Sequence, residues 1–532
     1  MNSRNGKAKG AASRPGLKGP TWRSMVRPLV ILVIAMFCIS ILANSMTKEV
    51  GRDEQMYCTA GVLLAQGHMI YRDFSYPSQL PYHPLLLSVA YRIFGTTHYL
   101  FAGRLMSALC DILALIGVIW IYRSIFGAYR RQGLLFGLAA ATLFLFNSLV
   151  DYALGYAWNH DVAVLCVVVS LWLFVTTDFH DRSRFWRIAL MGVLLTVATF
   201  MRATTVLAEL LFLMVVLWTA GGSIKNRVVT ALPFVLAALV AALWPIWVIA
   251  RAPEAFWLNL LRIPTLYGQW LHEVGVVYNK LALTVVSLGT AGYLVLLILI
   301  GYLLWITLRH PSGLDAQEKR KAGFAALLPI VFLIIAYIPP TMWQQYMAMP
   351  VPFIVIGFAY PLKALLQGAQ KPEGRARYTL AAWLVGIGAI VTVIASPVIL
   401  YRSLAVLVPE NWTPIQLHKT SREIAARTSE PRLVLTLGPL YALEGGCDIY
   451  PELSAGSIVY RVADRMSPEE RQLTHTVGPK TLSDLLAIRP PAAVITGIEP
   501  SYFSSLEDPL RQSVPPNWRR ETYGRLQVYI RP

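Results

Sequence analysis

Charge is scarce in this chain. Only 14% of its 532 residues are Asp, Glu, Lys or Arg, where soluble globular chains carry about a quarter. With 56% hydrophobic residues, that shortage excludes an ordinary water-soluble domain. Acid is scarcer still: 29 acidic against 47 basic side chains leave a formal net charge of +18. The basic residues punctuate apolar runs, a pattern of membrane topology and anionic headgroups rather than of nucleic-acid binding. Cysteine is sparse and unpatterned, at 38, 58, 110, 166 and 447 with no CxxC, so spacing supports neither a disulfide framework nor a metal site. Also missing are a Walker loop, GxSxG, HExxH, and GxGxxG before a helix. Nucleotide-driven and zinc-dependent readings have no support, and no cofactor is expected. There is no internal repeat, and the basic N-terminal tail is the one biased segment.

What the sequence has in abundance is apolar runs long enough to cross a bilayer. They fall at about 27–46, 103–122, 133–151, 161–177, 187–201, 203–220, 228–250, 281–308, 324–340, 350–366 and 379–400. The expectation is a polytopic α-helical membrane protein of about 11 spans: a basic cytoplasmic tail (1–26), a transmembrane domain (27–401) and a C-terminal domain (402–532). The tail lacks a clear cleavage site before the first run, which reads as an anchor rather than a removed leader. Lys and Arg collect in one set of alternating loops: the tail, Arg123 with Arg130 and Arg131, 181–187, Lys225 with Arg227, 318–321 and 363–377. The positive-inside rule places these in the cytoplasm. An odd number of spans then puts the C-terminus outside. The stretch 81–95, interrupted by Pro84 and carrying His83 and Arg92, is read as an interfacial helix.

Two outer loops, 47–102 and 251–280, are long enough to suggest function. Beyond 402 the apolar runs shrink to strand length, "RLVLTL", "AAVIT" and "LQVYI", separated by helix-like patterns such as "TPIQLHKTSREIAART" and "TLSDLLAI". This predicts a small extracytoplasmic α/β domain.

Candidate chemistry clusters on the outer loops. "DEQMYCTAGVLLAQG" has helical spacing and stops at Gly67. Asp53 at its start is either an N-cap or an acid–base group, and the two roles can coexist. In "YPSQLPYHP", Tyr82 and His83 could touch a ligand, although interfacial packing is the commoner role. "WNHD" sets Asn159, His160 and Asp161 at a membrane boundary, where capping competes with function. Arg202 in "TFMRATT" could hold an anion or snorkel to headgroups. Asp111 and Glu209 lie within spans, where acids are functional candidates and would suit an ion-coupled transporter.

The layout resembles the GT-C membrane glycosyltransferases, specifically the protein O-mannosyltransferase and aminoarabinose (lipid A) transferase group. Asp-Glu after the first span, "YRDFSYPSQLP", "LFAGRLMSAL", "NHD" opening a later span and "TFMR" ending another carry the resemblance, best over residues 27–220. It implies a polyprenyl-phosphate sugar donor and an extracytoplasmic glycan, lipid or protein acceptor, and the basic balance with few cysteines suits a bacterial inner membrane. It also implies Asp53 as catalytic base with Glu54 beside it, Asp161 as a further site acid, and His160 and Arg202 near substrate. The family's Lys-Pro pair at the end of the first loop has no counterpart, because Leu80 precedes Pro81 here. Arg202, Arg262, Lys280 and His83 are the candidates to supply the missing cation. Asp53, Asp161 and Arg202 are expected to converge on one outward-facing cavity. The rival readings are a transporter or flippase working through Asp111 and Glu209, and a non-catalytic assembly factor using its outer domain. The long first outer loop and the lack of an inverted repeat argue against the transporter.

Overall fold

The computed structural model describes residues 22–179, 181–276, 279–310 and 313–532. Of the expected cytoplasmic tail, residues 1–21 lie outside the described residues. The chain opens with α1 (Trp22–Thr47), α2 (Arg52–Ala65), α3 (Tyr82–Phe94), α4 (Tyr99–Phe126), α5 (Arg130–Leu145), α6 (Ser148–Ala153) and α7 (His160–Thr176). It continues with α8 (Arg184–Thr199), α9 (Val206–Thr219), α10 (Ile224–Arg251), α11 (Pro253–Trp257), α12 (Ile263–Glu273) and α13 (Lys280–Leu288). Then come α14 (Ala291–Arg309), α15 (Ala316–Tyr337), α16 (Val351–Gly357), α17 (Ala359–Gly368), α18 (Pro372–Ile394) and α19 (Pro397–Ala405).

Each of the eleven apolar runs is helical. The run at 281–308 is two helices, α13 and α14, broken at Gly289 and Thr290, and the run at 350–366 is likewise divided between α16 and α17. Large apolar side chains on α10, α14 and α18 remain exposed, among them Leu239, Leu243, Ile298, Leu308, Trp383 and Ile394. Faces of that kind belong against lipid, where helices satisfy their own backbone hydrogen bonds.

The long loop after α1 folds as two helices. Gly51 precedes α2, and Glu54 Oε2 accepts from the Gly51 N–H at 2.9 Å, closing the first turn. Gly67 ends the segment at φ +100°, a conformation natural to glycine. The interfacial stretch forms α3 and lies across α2. Gly61 permits this approach: a Cβ there would meet Leu87 Cβ at 2.6 Å. The second long loop forms α11, a π-helical turn at Leu258–Arg262, and α12. Buried Asn259 on that turn accepts from Ser75 Oγ at 2.6 Å and Tyr76 N at 2.9 Å. The two loops are thereby stapled together.

After α20 (Thr413–Arg427) the chain becomes α/β, with β1 (Leu433–Thr436), α21 (Pro439–Leu443), β2 (Asp448–Ile449), α22 (Ser457–Tyr460) and α23 (Pro468–Thr474). It ends with α24 (Leu482–Ile488), β3 (Ala493–Thr496), α25 (Asp508–Gln512), β4 (Arg519–Tyr523) and β5 (Leu526–Ile530). The sheet order is β2-β1-β3-β5-β4. β1 pairs in parallel with β2 and β3, with Val434 opposite Ala493. β5 runs antiparallel to β3 and β4, with Val528 opposite Ile495. Alternation sends Val434, Ile495 and Val528 to one face and Leu435 and Val494 to the other. The first face joins a core that continues into α2, α3 and α12. The small sheet domain therefore sits on the helix bundle at the Asp53 end, fixed also by Leu440 N donating to Gln55 Oε1 at 3.0 Å and Leu100 N to Glu444 Oε1 at 2.7 Å.

Candidate active site

Asp53 and Glu54 are neighbours on α2 with opposite fates. Glu54 is fully buried and receives both forks of Arg104, Nε to Oε1 at 2.7 Å and Nη2 to Oε2 at 2.8 Å. Its oxygens also accept from Gly51 N and from Ala157 N at 2.8 Å. Arg104 spends its remaining donors on the carbonyls of Ser45, Lys48 and Glu49 at 2.7–2.9 Å. All five guanidinium N–H groups are thus used, and the open end of α1 is capped. The sequence expectation that Glu54 shares in catalysis gives way here: a carboxylate with every lone pair engaged and no exposure is a structural clamp.

Asp53 is left free by that arrangement. It is half-buried and makes no hydrogen bond or close ion pair among the described residues. It is not the helix cap, since Gly51 holds that place with the help of Glu54. Burial pushes its carboxyl above the ordinary carboxylate range, the nearby guanidiniums of Arg52 and Arg461 pull it back, and Glu54 adds to the rise. A carboxylate held above its ordinary range is a stronger proton acceptor than an exposed one.

Arg202 is the matching unspent cation. It is half-buried, lies 4.5 Å from the Tyr346 ring centroid and has no carboxylate partner among the described residues. Tyr57, one turn after Asp53 on α2, feels the charges of both Asp53 and Arg202, and Tyr346 lies within the same field. Tyr57 and Tyr346 thus both lie within reach of the charges of Asp53 and Arg202. Buried His160 lies within reach of Arg202's charge.

The other expected residues are placed elsewhere. Asp161 does not join Asp53. It is fully buried beside Asp111 and Ser107, with Lys48 nearby, so the pair of acids lies between α4 and α7. Arg262 pairs with Glu470 at 3.3 Å in the wall of a shallow groove of about 620 Å³ that contains neither Asp53 nor Arg202. Lys280 donates to the carbonyls of Tyr337 and Pro339, both at 2.8 Å, and caps the end of α15. His83 is fully buried edge-on against Tyr57 at 5.0 Å, and burial lowers it to about 3, so it is neutral. Tyr82 donates to the Ala241 carbonyl and packs on Trp244 and Phe200. Of the four candidate cations, Arg202 alone keeps its charge uncommitted.

Two residues that sequence reasoning passed over, Arg461 and Tyr346, and one that it singled out, Asn159, lie around these groups. Arg461, on the turn after α22, binds Glu499 and donates to Tyr267 Oη at 3.0 Å. Asn159 donates to Gln79 Oε1 and to the Met201 carbonyl, both at 2.8 Å, tying the first loop to the turn that carries Arg202. Tyr346 stands in the loop at 339–350, which has no basic residue and for that reason marks a side of the membrane, but which gives no sign of this tyrosine's place.

Residues 77–247 match the family described as Dolichyl-phosphate-mannose-protein mannosyltransferase. No curated protein matches the sequence. Among solved structures, ArnT from Cupriavidus metallidurans bound to undecaprenyl phosphate is similar, with a TM-score of 0.60 at 15% identity over 96% of this chain and 98% of that one. Its apo form gives a TM-score of 0.61 at 16% identity over 95% and 98%. The Archaeoglobus fulgidus oligosaccharyltransferase tethered with an acceptor peptide is more distant, at 0.50 and 12% identity over 90% of this chain and 70% of that one.

Proposed function

We propose that this chain, which has the GT-C fold of membrane glycosyltransferases, transfers a sugar from a polyprenyl-phosphate donor to a hydroxyl-bearing acceptor outside the membrane. The observation that carries the reading is the free, half-buried Asp53 and the unpaired Arg202, whose charges both reach Tyr57 and Tyr346. Asp53 takes the acceptor hydroxyl proton as the acceptor oxygen attacks the anomeric carbon. The bond from that carbon to the phosphate oxygen breaks, and polyprenyl phosphate leaves with the bonding electrons. Arg202 meets the negative charge that gathers on the leaving phosphate. Direct displacement inverts the anomeric centre.

The donor brings its own activated leaving group, so the proposal calls on no metal or nucleotide. Undecaprenyl phosphate in the similar ArnT structure supports a lipid phosphate ligand. In this reading the protein lies in a bacterial inner membrane, with the tail in the cytoplasm and the Asp53 end and sheet domain outside. Asp111 against Asp161, and Glu209 held by Thr196 Oγ1 at 2.6 Å and Thr199 Oγ1 at 2.5 Å, lend little to the transporter alternative. The test is incubation of the purified protein with a panel of polyprenyl-phosphate sugars and cell-envelope acceptors. One donor should be consumed, releasing polyprenyl phosphate and a product of inverted configuration. Failure to consume any donor counts against the reading.

A further inference from the structure

The end of the helix bundle away from Asp53 holds a cavity of its own. α14 starts beside the Tyr346 turn, where Tyr293 Oη donates to the Met347 carbonyl, and rises about 25 Å from there to its last turn. That last turn, the start of α15, the end of α17 and the start of α18 enclose a space of about 430 Å³. Tyr302 Oη donates to the Arg377 carbonyl at 3.1 Å and ties α14 to α18. Gly374 lets α18 close on α17, since a Cβ there would overlap the Gly368 carbonyl.

Lys319, Arg377 and His310 line this space, and among the described residues no carboxylate does. Lys319 is exposed and has no ion-pair partner among the described residues. Arg377 pairs with Glu373 at 3.5 Å, a long contact to a group 86% exposed, and such surface pairs hold weakly. The acids at the start of α15 are spent elsewhere: Asp315 Oδ1 accepts from Glu318 N at 2.7 Å, and Glu318 is bound by Lys363. Tyr360, also in the lining, is 2% exposed, yet its hydroxyl has no hydrogen-bond partner among the described residues. Gln367 Oε1 is buried without a partner, which costs free energy until a ligand meets that amide. Turned end for end, the amide presents N–H groups. Two cations, a hydroxyl and an amide around one space suit an oxyanion.

The surrounding surface supplies the rest of the ligand. Leu304 and Leu308 on α14 and Leu380 on α18 are exposed, and Arg309 lies over the Trp305 ring at 5.1 Å. Tryptophan beside a cation marks the headgroup level of a bilayer, where basic pockets between helices take acidic lipid headgroups. We infer that this cavity binds the phosphate of an anionic phospholipid. Lys319, Arg377 and Tyr360 hold the phosphate, and the acyl chains lie on the apolar faces of α14 and α18. In the orientation proposed above, that lipid belongs to the cytoplasmic leaflet, opposite the Asp53 end. The inference stands whether or not Asp53 is the base.

The test follows the melting temperature of the delipidated full chain in detergent while short-chain phosphatidylglycerol is titrated in. Phosphatidylcholine of the same chain length and glycerol 3-phosphate are titrated in parallel. Phosphatidylglycerol should raise the melting temperature saturably, and the other two should not. K319Q/R377Q should weaken the apparent affinity by about tenfold or more, and Y360F by a few-fold. R375Q, an exposed cation outside the lining, should change nothing. If K319Q/R377Q does not fold, Y360F against R375Q carries the test. Equal protection by phosphatidylcholine overturns the inference, as does protection by phosphatidylglycerol that survives unchanged in K319Q/R377Q and Y360F. Protection by glycerol 3-phosphate at the same concentrations supports a phosphate site but overturns the lipid as its occupant.

Discussion

The two faces of α2 spend charge in opposite ways. On the Glu54 face, Arg104 and Glu54 consume each other's hydrogen-bonding capacity and close the end of α1. On the Asp53 face, one carboxylate and Arg202 are held within the same field without touching a partner. The first arrangement fixes the fold, and the second leaves its charges free of any hydrogen-bonded partner among the described residues. Adjacent residues divide the labour because a helix turns by about 100° per residue and so shows them to different surroundings.

The contrast is broken most severely at Asp53. D53N should lower transfer by at least about 100-fold, the low end of general-base catalysis, with the fold intact. The sign for stability follows from the raised carboxyl. The folded state holds that proton more tightly than the unfolded one, so the burden of ionising Asp53 grows as pH rises from the unfolded value through the folded one. Above that window, D53N should melt at the same temperature as the parent or higher. E54Q should do the reverse: it strands Arg104 in the core, costs about 3–5 kcal/mol, and shows as a fall in melting temperature, with activity lost only as the fold is lost.

R202M should reduce kcat by about 100- to 1000-fold, the scale of removing one group that stabilises developing charge. It should leave the melting temperature near that of the parent, and R202K should recover part of the rate. The pH profile sharpens the same point, since the acid limb of kcat/KM should lie above the ordinary Asp value of about 3.9. The smallest effect belongs to R262A. Its partner Glu470 is a surface group, so the loss should stay within about 1 kcal/mol of stability and within a few-fold of activity.

Much of the architecture was legible along the chain because its signals are local. Apolar run length marked the helices, and Gly67 marked the end of α2. β-branched clusters located β1, β3 and β5. The two-residue β2 and the Arg-rich, exposed β4 carry no such signal and went unseen. The site was legible only in part. Asp53 and Arg202 stood out by type and position, but which acid was free depended on Arg104, 50 residues away. Nothing local says that Asp161 turns toward Asp111, or that Lys280 is used up on the end of α15. Arg461 was hidden most completely, because it sits in an ordinary α/β segment and its partner Tyr267 lies far earlier in the chain.

The most direct test is transfer of a labelled sugar from a polyprenyl-phosphate donor by the purified wild-type chain and by D53N, with melting temperature followed in the same preparations. The account predicts transfer by the wild type and a loss of at least about 100-fold in a D53N protein that melts no lower. Turnover by D53N within a few-fold of wild type, in a protein equally folded, would contradict it.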